Sequence, residues 1–513
     1  MLVKTYGSAV HGVNAILITV EVNIVTGVDY HLVGLPDSAV KESNLRIESA
    51  LKHVGLVMPR MKIVVNMAPA DIRKEGSAYD LTIAVGILAA SEQIPTEKLD
   101  TYLMMGELSL DGSLKAIKGA LPIAIEAKKR GFEGFILPQK NVREAAIVGG
   151  LKVFGMENIS EVVAFLTGAK EFEPYKLDTR DEFFSRAENF DTDFSDVKGQ
   201  ENIKRAMEIA AAGGHNLILI GPPGAGKTML AKRLATILPP LSLTEALETT
   251  KIHSVAGKLK SSDALISTRP FRSPHHTISD VALVGGGGFP QPGEISLAHH
   301  GVLFLDELPE FKRQVLEVMR QPLEERRVTI SRARFSIEYP ASFMLVASMN
   351  PCPCGYFNHP TKDCSCGPGN VQKYLNKVSG PLLDRIDIHI EVTPVSFNEL
   401  STKKVSEKSA DIRARVIEAR KVQSERFKEN KLVHCNAQMS PKKVRSICII
   451  NEDGNTMLKN AMEKLGLSAR AYDRILKVAR TIADLEQSTN IELEHLAEAI
   501  NYRSLDRDTW QVN

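Results

Sequence analysis

The 513-residue chain has little net charge, few cysteines and no long apolar run. A formal charge of +2 means that any binding of nucleic acid must come from local patches rather than from the whole surface. No apolar run approaches the roughly 20 residues of a membrane-spanning helix, and residues 1–7 lack the apolar stretch of a signal peptide. We therefore expect a cytoplasmic protein that has no membrane partner.

Repeats and low-complexity tracts are also lacking, so the domain organisation is predicted from the hydrophobic pattern of the sequence. The length suits about three domains, and a hydrophobic fraction of 43% is ordinary for a globular protein. Apolar spacing predicts strands at 20–25 and 61–67, and helices at 47–54, 79–91 and 116–130. The predicted organisation is an α/β domain at 1–168, a charged linker at 169–195, a nucleotide-binding α/β domain at 196–394 and a mainly helical segment at 395–513.

A phosphate-binding loop stands at residues 221–228. The pattern G-x-x-x-x-G-K-[ST] is matched by Gly221, Pro222, Pro223, Gly224, Ala225, Gly226, Lys227 and Thr228. An apolar strand at 216–220 precedes the loop and a helix begins after it at Met229, which is the context that the motif requires. Backbone N–H groups of such a loop surround a polyphosphate at the positive end of the helix. We expect Lys227 to reach the β- and γ-phosphates of ATP and Thr228 to bind Mg²⁺.

The second half of the nucleotide site follows a buried apolar strand at 302–305. Asp306 is placed to hold the Mg²⁺ together with Thr228, and Glu307 to polarise the attacking water. A strand that ends in two acids is common by itself, but downstream of a complete phosphate loop it indicates catalysis. The sequence therefore predicts hydrolysis of a nucleoside triphosphate.

Further residues resemble the sensors of AAA+ ATPases. Asn350 ends the apolar stretch Ala347-Ser-Met and is similar to the sensor-1 amide, which orients the water near the γ-phosphate. Arg385, in Gly380-Pro-Leu-Leu-Asp-Arg-Ile-Asp, resembles the arginine finger, a residue that acts on the nucleotide of a neighbouring subunit. Arg470, in Ser468-Ala-Arg-Ala-Tyr-Asp-Arg, is similar to the sensor-2 arginine of the lid. A solvated surface position is the alternative for both arginines.

A closer resemblance comes from two segments on either side of Asp306. Residues 289–301 resemble the magnesium-chelatase clade, which carries an insert in its second helix. The glycine run at 285–288 predicts a loop tip, in which Phe289 is a candidate DNA contact. Arg332-Ala-Arg334-Phe is similar to that clade's pre-sensor hairpin. With the N-terminal domain and the cysteines described below, nearly the whole chain resembles the YifB/ComM family. The resemblance implies a C-terminal helical lid and a homo-oligomer, a hexameric ring that acts on DNA as a helicase and drives branch migration when transforming DNA is integrated.

The pre-sensor segment is rich in arginine. Arg326, Arg327, Arg332 and Arg334 occur within nine residues that include no acid, and the alternation at 328–337 predicts a β-hairpin. In a ring, Arg332 and Arg334 would contact the phosphates of DNA in the pore, in a salt-dependent manner that does not depend on sequence. A solvated face or a network of intersubunit salt bridges is the alternative.

Four of the six cysteines lie close together: Cys352, Cys354, Cys364 and Cys366. The expected compartment disfavours disulfides, so four thiols within fifteen residues predict a metal. Two C-x-C pairs separated by nine residues can bring four sulfurs to a tetrahedron around zinc. We predict a structural zinc site that stiffens the chain after Asn350; an iron–sulfur site or reduced thiols are the alternatives, and His359 could replace one cysteine.

The N-terminal domain resembles the proteolytic domain of Lon, which has a ribosomal-S5-like α/β fold. Lys74-Glu-Gly-Ser-Ala-Tyr-Asp is similar to its serine-bearing turn, and Asp111-Gly-Ser-Leu-Lys115 to its lysine-bearing turn. In this register Ala78 stands where the nucleophile would be, and a lysine needs an oxygen to deprotonate. Ser77 is one residue away, so a protease is an alternative, as is a metal-insertion motor of the chelatase type. We predict a non-catalytic domain that helps to bind DNA or to build the ring.

Overall fold

The computed structural model describes residues 1–178, 183, 190–260, 263–288, 290–332, 335–359, 361–394, 406–429 and 433–503, with the backbone alone at 332, 335 and 368. These residues build two large β-sheets with buried cores and a group of helices that packs onto the second sheet. The predicted α/β class is therefore confirmed. Within the described ranges, no helix has the length and apolar character needed to cross a bilayer.

The first sheet lies in the N-terminal part of the chain. Its strands are β1 Leu2–His11, β2 Asn14–Val25, β3 Tyr30–Val33, β4 Lys62–Ala68, β5 Tyr102–Met104, β8 Gly134–Pro138 and β9 Lys152–Met156, and a short separate ladder joins β6 Glu107–Leu108 to β7 Leu114–Lys115. The order is β3-β4-β2-β1-β5-β8-β9, in which β2 is antiparallel to β1 and β4 and the other neighbours are parallel. Both strands predicted in this part are present: the one at 20–25 lies within β2, and the one at 61–67 corresponds to β4, which begins one residue later.

Helices of this part are Ser38–Lys41, Ser43–His53, Asp80–Ala90, Ala120–Lys129, Val142–Ala146 and Ile159–Thr167. Every residue of Asp80–Ala90 is buried, because the helix packs against β1 and β2 and the hydrophobic core surrounds it. The helix predicted at 116–130 begins later, at Ala120, since Gly119 takes a left-handed φ of +75° immediately before it. The helix predicted from residue 79 likewise begins at Asp80, after the 3₁₀ turn Ser77–Tyr79.

The second sheet is entirely parallel. Its strands are β10 Leu217–Ile220, β11 Phe271–Arg272, β14 Val302–Leu305, β17 Met344–Met349 and β18 Ile388–Glu391, ordered β11-β14-β17-β10-β18. Strands β10, β14 and β17 are buried along their whole length. Ligands of open parallel sheets bind beyond the carboxyl ends of the strands. The phosphate loop, Asp306 and Asn350 follow these three adjacent strands, so their side chains meet at one edge of the sheet.

Around this sheet lie the helices Glu201–Gly213, Lys227–Ile237, Leu243–Val255, Asp280–Val284, Glu294–Leu297, Arg313–Val318, Arg320–Glu325, Pro368–Leu375 and Gly380–Leu383. Between β11 and β14, the ribbon of β12 Gly285–Gly286 and β13 Gln291–Pro292 separates two short helices, where the helix insert is predicted. A longer hairpin joins β15 Arg327–Arg332 to β16 Phe335–Pro340.

The C-terminal part is helical, as predicted, with Ser409–Arg426, Pro441–Ile447, Glu452–Lys464, Ala469–Leu485 and Leu493–Asn501. Its longest amphipathic helix, Ala469–Leu485, shares a core with Glu201–Gly213. The predicted linker and lid junction fall partly outside the described residues, at 179–182, 184–189 and 395–405. The predicted domain boundaries therefore stay predictions.

The N-terminal part packs against helix Leu243–Val255. The backbone N–H of Gly119 donates to the Ser254 carbonyl oxygen at 3.1 Å, and the Ser254 hydroxyl donates to the Glu144 carboxylate. Leu241 and Ala246 lie in the same core cluster as the N-terminal sheet. The first core thus extends into residues that the sequence pattern assigns to the nucleotide-binding domain.

Candidate nucleotide site and cysteine cluster

The phosphate loop runs between strand β10 and helix Lys227–Ile237, which begins two residues earlier than the sequence predicts. Gly224 and Gly226 take left-handed φ values of +79° and +87°, which glycine adopts without strain. A Cβ atom at Gly221 would lie 2.2 Å from the Val392 carbonyl oxygen, so only glycine fits there. These glycines curve the loop around the helix N-terminus, where backbone N–H groups and the helix dipole attract phosphate.

The Lys227 ammonium lies at the centre of the loop. Its Nζ donates to the carbonyl oxygens of Gly221 and Pro222 at 2.7 and 3.0 Å, and to Asn350 Oδ1 at 3.0 Å. Burial lowers the pKa of Lys227, against the opposing charges of Asp306 and Glu307. The structure thus brings together the predicted phosphate-binding lysine and the predicted sensor-1 amide.

Asp306 is bound by groups from three segments. Its carboxylate accepts from the Thr228 hydroxyl at 2.7 Å, from the Ser348 hydroxyl, and from the Glu307 backbone N–H at 3.1 Å. Thr228 and Asp306, the two residues predicted to share Mg²⁺, are therefore neighbours, and hydroxyl and carboxylate oxygens are ligands that Mg²⁺ accepts. Sequence reasoning missed Ser348, although it precedes Asn350 by two residues in a strand and so faces the same side.

Glu307 has an unusual backbone. Its φ is +53°, in the left-handed region that few non-glycine residues adopt. The carboxylate is 57% exposed and lies 3.5 Å from Nδ1 of His276. His276 stacks on His275 with ring centroids 4.1 Å apart. Sequence reasoning missed His276; the adjacent histidine pair was its only signal.

A cavity of about 550 Å³ opens beside the predicted catalytic groups. Glu307 and Asn350 line one side, and Lys373 and Tyr374 from helix Pro368–Leu375 line another. Its volume falls within the range of ligand sites in proteins. The cavity leaves room for a water molecule beside Glu307 and for a group that approaches from outside the chain.

The two predicted arginines differ in their surroundings. Arg385 is 5% exposed; its Nη2 lies 2.5 Å from Glu324 Oε1 and its Nη1 donates to the Pro381 carbonyl oxygen at 2.6 Å. Arg470 is exposed at the start of helix Ala469–Leu485. Among the described residues, neither guanidinium is hydrogen-bonded to or paired with the groups of the nucleotide site. Their predicted roles stay predictions.

The predicted hairpin is present in the pre-sensor segment. Its ladder runs from the pair Arg327↔Pro340 to the pair Arg332↔Phe335. Arg327 lies 3.5 Å from Glu338 on the opposite strand and 3.6 Å from Glu325, so the structure supplies acids that the local sequence lacked. Arg334, Phe289 and the side chain of Arg332 lie outside the described residues, so the structure does not test the predicted DNA contacts.

The four clustered thiols meet in space. Cys352 Sγ lies 3.3 Å from Cys354 Sγ and 3.7 Å from Cys364 Sγ, and the four sulfurs, with Cys366, are all within 4.8 Å of one another. A tetrahedron with zinc–sulfur bonds of about 2.3 Å separates its sulfurs by roughly 3.8 Å, so the arrangement fits zinc. His359 stands outside the group, because its Nδ1 accepts the backbone N–H of Thr361 at 3.2 Å.

Two backbone contacts support this cluster. The N–H groups of Gly355 and Phe357 donate to Cys352 Sγ at 3.2 and 3.3 Å, as the outer shell of a thiolate site would. A Cβ atom at Gly355 would lie 2.4 Å from Pro223, so the cysteine loop touches the phosphate loop. The cluster is therefore part of the wall of the nucleotide site.

In the N-terminal part, the turn similar to that of Lon holds its polar groups in local pairs. The Ser77 hydroxyl donates to the Glu107 carboxylate, and Glu107 faces Lys115 across the β6–β7 ladder. The Ala78 carbonyl oxygen accepts the Gly106 N–H at 2.8 Å. Lys115 is exposed, and its cross-strand partner is an acid rather than a serine.

Family models cover most of the chain. "Magnesium chelatase, subunit ChlI" matches residues 193–400, "Subunit ChlI of Mg-chelatase" matches 20–141, and "Magnesium chelatase, subunit ChlI C-terminal" matches 406–503. A shorter likeness to Lon protease 2 of Bacillus subtilis, 33% identical over 159 residues, covers 28% of this chain and 27% of that protein. The similarity to Lon is therefore partial.

Two similar proteins match from end to end. YifB of Escherichia coli is 47% identical over 502 residues, which cover 97% of this chain and 96% of that protein. Competence protein ComM of Haemophilus influenzae is 43% identical over 509 residues, with 99% and 98% covered. Identity of this extent shows that the protein belongs to the YifB/ComM family of magnesium-chelatase-like AAA+ ATPases.

Proposed function

We propose that the protein is a ring-forming motor that hydrolyses ATP to move DNA, as a helicase or branch-migration factor in the recombination of incoming DNA. The observation that carries the proposal is the similarity to the competence protein ComM over 99% of the chain. The arrangement of Lys227, Thr228, Asp306 and Glu307 supports an ATP-consuming step.

Each residue of the nucleotide site has a role in this proposal. Lys227 and the loop N–H groups bind the phosphates, and Thr228 and Asp306 hold the Mg²⁺ that neutralises their charge. Glu307 polarises the attacking water, while Asn350, hydrogen-bonded to Lys227, orients it. Hydrogen bonds hold Lys227 against Asn350 and Thr228 against Asp306 before the reaction, which limits the reorganisation that accompanies the development of charge.

Assembly into a hexamer would complete the site. Arg385 of one subunit stabilises the phosphoryl group that is transferred in its neighbour, and Arg470 contacts the nucleotide from the lid. Mixing Arg385→Ala subunits with Lys227→Ala subunits tests this role, because such rings contain some composite sites with both residues intact. Recovery of ATPase activity supports action between subunits, and its absence in rings shown to be mixed would contradict it.

The hairpin is the proposed DNA contact. Arg332 is the last residue of strand β15, and Arg334 follows it by two positions in the sequence. Guanidinium groups there would bind phosphates of a strand in the pore, a contact that positions DNA without reading its sequence.

The decisive experiment measures the ATPase rate without DNA and with single-stranded, duplex and branched DNA. We expect DNA to stimulate hydrolysis, and we expect Arg332→Ala/Arg334→Ala to lose DNA binding with a salt slope smaller by roughly 1 for each phosphate contact removed. Arg327→Ala is the matched control, since Glu338 and Glu325 already engage that guanidinium. A parent protein that no DNA stimulates would refute the DNA motor.

A second candidate is a motor that remodels a protein or inserts a metal. The chelatase family models that span most of the chain favour it. The same experiment distinguishes the two, because such a motor would hydrolyse ATP at a rate that DNA leaves unchanged. An ATP-dependent protease is disfavoured, since Ala78 takes the nucleophile position and Ser77 is bound to Glu107.

The four-cysteine cluster is proposed to hold one zinc ion per chain. The observations that support it are the close approach of four sulfurs and the two N–H donors to Cys352. Zinc there would have four protein ligands and no open position, which is typical of a structural site. Its contact with the phosphate loop gives it the role of bracing the nucleotide site.

A further inference from the structure

The side chain of Arg385 is held inside its own subunit. Beyond the contacts with Glu324 and Pro381, its Nε is buried and has no hydrogen-bond partner among the described residues. A buried guanidinium N–H without a partner is costly. With 5% of its side chain exposed, Arg385 presents no free edge to a neighbouring subunit in this arrangement.

The backbone of Arg385, by contrast, is firmly fixed. Its carbonyl oxygen accepts from Asn216 Nδ2 at 3.0 Å, immediately before strand β10. Two residues later, the Asp387 carboxylate accepts the Asn216 N–H at 3.2 Å, contacts His215 Nδ1 at 3.2 Å and pairs with Arg474. Any change that exposes the guanidinium must therefore be a rotation of the side chain, not a shift of the chain.

Glu324, which holds Arg385, lies close in sequence to the β15–β16 hairpin, the proposed DNA contact. It lies at the end of helix Arg320–Glu325, and strand β15 starts three residues after it. Between them, Arg326 takes a φ of +57°, donates its N–H to the Pro322 carbonyl oxygen at 2.9 Å and accepts the Ala341 N–H at 2.8 Å. These bonds connect the helix end to both strands of the hairpin base, so a movement of the hairpin displaces Glu324.

A groove beside this junction leaves space for such a movement. It measures about 440 Å³ and is lined by Val318 and Pro322 on the helix side, Val328 on the hairpin and Val284 from the insert. The groove therefore leaves the base of the hairpin room to move on that side.

We propose that Glu324 withholds Arg385 from the nucleotide of the next subunit, and that DNA pulling on the hairpin breaks this ion pair and frees the guanidinium. Binding of DNA would then start ATP hydrolysis one subunit away. The inference rests on the proposed function, since it takes Arg385 as the residue that acts between subunits. It makes Glu324 a positioning residue that controls when hydrolysis occurs.

The test compares Glu324→Gln with Glu325→Gln. Glu325 is adjacent and equally half-exposed, but it pairs with Arg327. We expect Glu324→Gln rings to hydrolyse ATP without DNA roughly fivefold faster than the parent or more, with correspondingly weaker DNA stimulation. Glu325→Gln should match the parent in both rates. Unchanged rates in Glu324→Gln, or a loss of activity, would overturn the inference, and Glu324→Asp with the melting temperature separates loss of folding from loss of control.

Mixed rings separate failure of this inference from failure of the proposed function. Arg385→Ala subunits are combined with Lys227→Ala subunits, or with subunits that carry both Lys227→Ala and Glu324→Gln. If Arg385 acts between subunits and Glu324 withholds it, the second mixture is more active without DNA. If both mixtures recover equal ATPase activity, the proposed role of Glu324 is wrong but that of Arg385 stands. If neither mixture recovers activity, the proposed role of Arg385 is itself wrong.

Discussion

The Lon-like turn at residues 74–80 and the phosphate loop at residues 221–228 both lead into helices, one beside each large sheet. They contain similar residue types, but the polar side chains have different kinds of partners. At the N-terminal turn, Ser77 is bound to Glu107, and Asp80 is buried against Arg46 at 2.7 Å. At the phosphate loop, by contrast, Lys227 bonds to Asn350 on another strand, and Asp306 gathers hydroxyl groups from two more segments.

The difference follows from sheet topology. In the parallel sheet, β10, β14 and β17 are neighbours, so residues at their carboxyl ends converge on one point. In the N-terminal part, the turn faces the two-residue ladder β6–β7, where Glu107 accepts from the Ser77 hydroxyl and the Leu108 N–H donates to Asp80 at 3.3 Å, and Arg46 also pairs with Asp80. Polar groups that converge from several strands, as at the phosphate loop, leave hydrogen-bond donors and acceptors for a ligand. Polar groups that pair locally, as at the N-terminal turn, satisfy one another. Polar residues beside a glycine turn therefore do not predict a catalytic site until their hydrogen-bond partners are known.

The largest effect should come from the convergent site. Glu307→Gln should lower ATP turnover by roughly 10²–10⁴-fold, because only the polarisation of water is lost. ATP binding should persist in this variant and be lost in Lys227→Ala, as measured with a fluorescent nucleotide. Glu418→Gln is the control, since Glu418 pairs with Lys421 on the exposed face of helix Ser409–Arg426 and should leave turnover unchanged. Normal hydrolysis in Glu307→Gln would refute the assigned roles.

Two buried aspartates, one in each region, sharpen the comparison through stability. Asp387→Asn breaks a buried ion pair with Arg474 and should lower the free energy of unfolding by about 3–5 kcal/mol. It should also lower ATPase activity. Asp80→Asn should cost less, about 1–3 kcal/mol, and spare the ATPase, because burial raises the pKa of Asp80 to about 6 although Arg46 opposes it. Hydrogen exchange, which reports each region separately, measures both.

The pH dependence of these two sites should have opposite signs. Burial would raise the pKa of Asp387, but Arg474 and His215 outweigh it and hold the pKa well below its usual value, so its contribution is present at neutral pH and lost in acid. Asp80, with a folded pKa of about 6, contributes stability below the unfolded pKa and loses it as pH rises through about 6. After correction for the intrinsic pH dependence of amide exchange, the N-terminal region should be less protected at pH 7 than at pH 5. Asp80→Asn should remove this difference.

Removal of the metal should have an intermediate effect. The purified protein should contain about one zinc per chain, and Cys352→Ser should lose it and lower ATPase activity, because the cluster loop touches Pro223. Elemental analysis checks the metal, and Cys448→Ser, an isolated buried thiol, is the control. Iron in place of zinc, or four reduced thiols with no metal, would contradict the site.

The smallest effect should come from the N-terminal turn. Ser77→Ala removes one hydrogen bond to Glu107 and should change stability by about 1 kcal/mol, with ATPase unchanged. Neither parent nor variant should cleave unfolded protein, with or without ATP. Cleavage by the parent that disappears in Ser77→Ala would show that the paired turn is a catalytic one.

Local patterns were enough to predict the nucleotide motif, the hairpin and the cysteine cluster. Each lies within a short stretch of chain whose glycines, alternation or spacing specify its geometry directly. The helix at Ala120 began later than predicted because a single left-handed glycine, Gly119, outweighed the apolar pattern. The sequence by itself thus determined the family and the chemistry that its motifs imply.

Only the tertiary structure decided which distant groups meet. Ser348 reaches Asp306, and His276 reaches Glu307, because the order of the parallel strands makes their ends neighbours. Glu324 meets Arg385 across 61 positions of sequence, a pairing that no spacing rule encodes. Such contacts depend on how separate elements pack, and packing is set by the whole buried core rather than by any one segment.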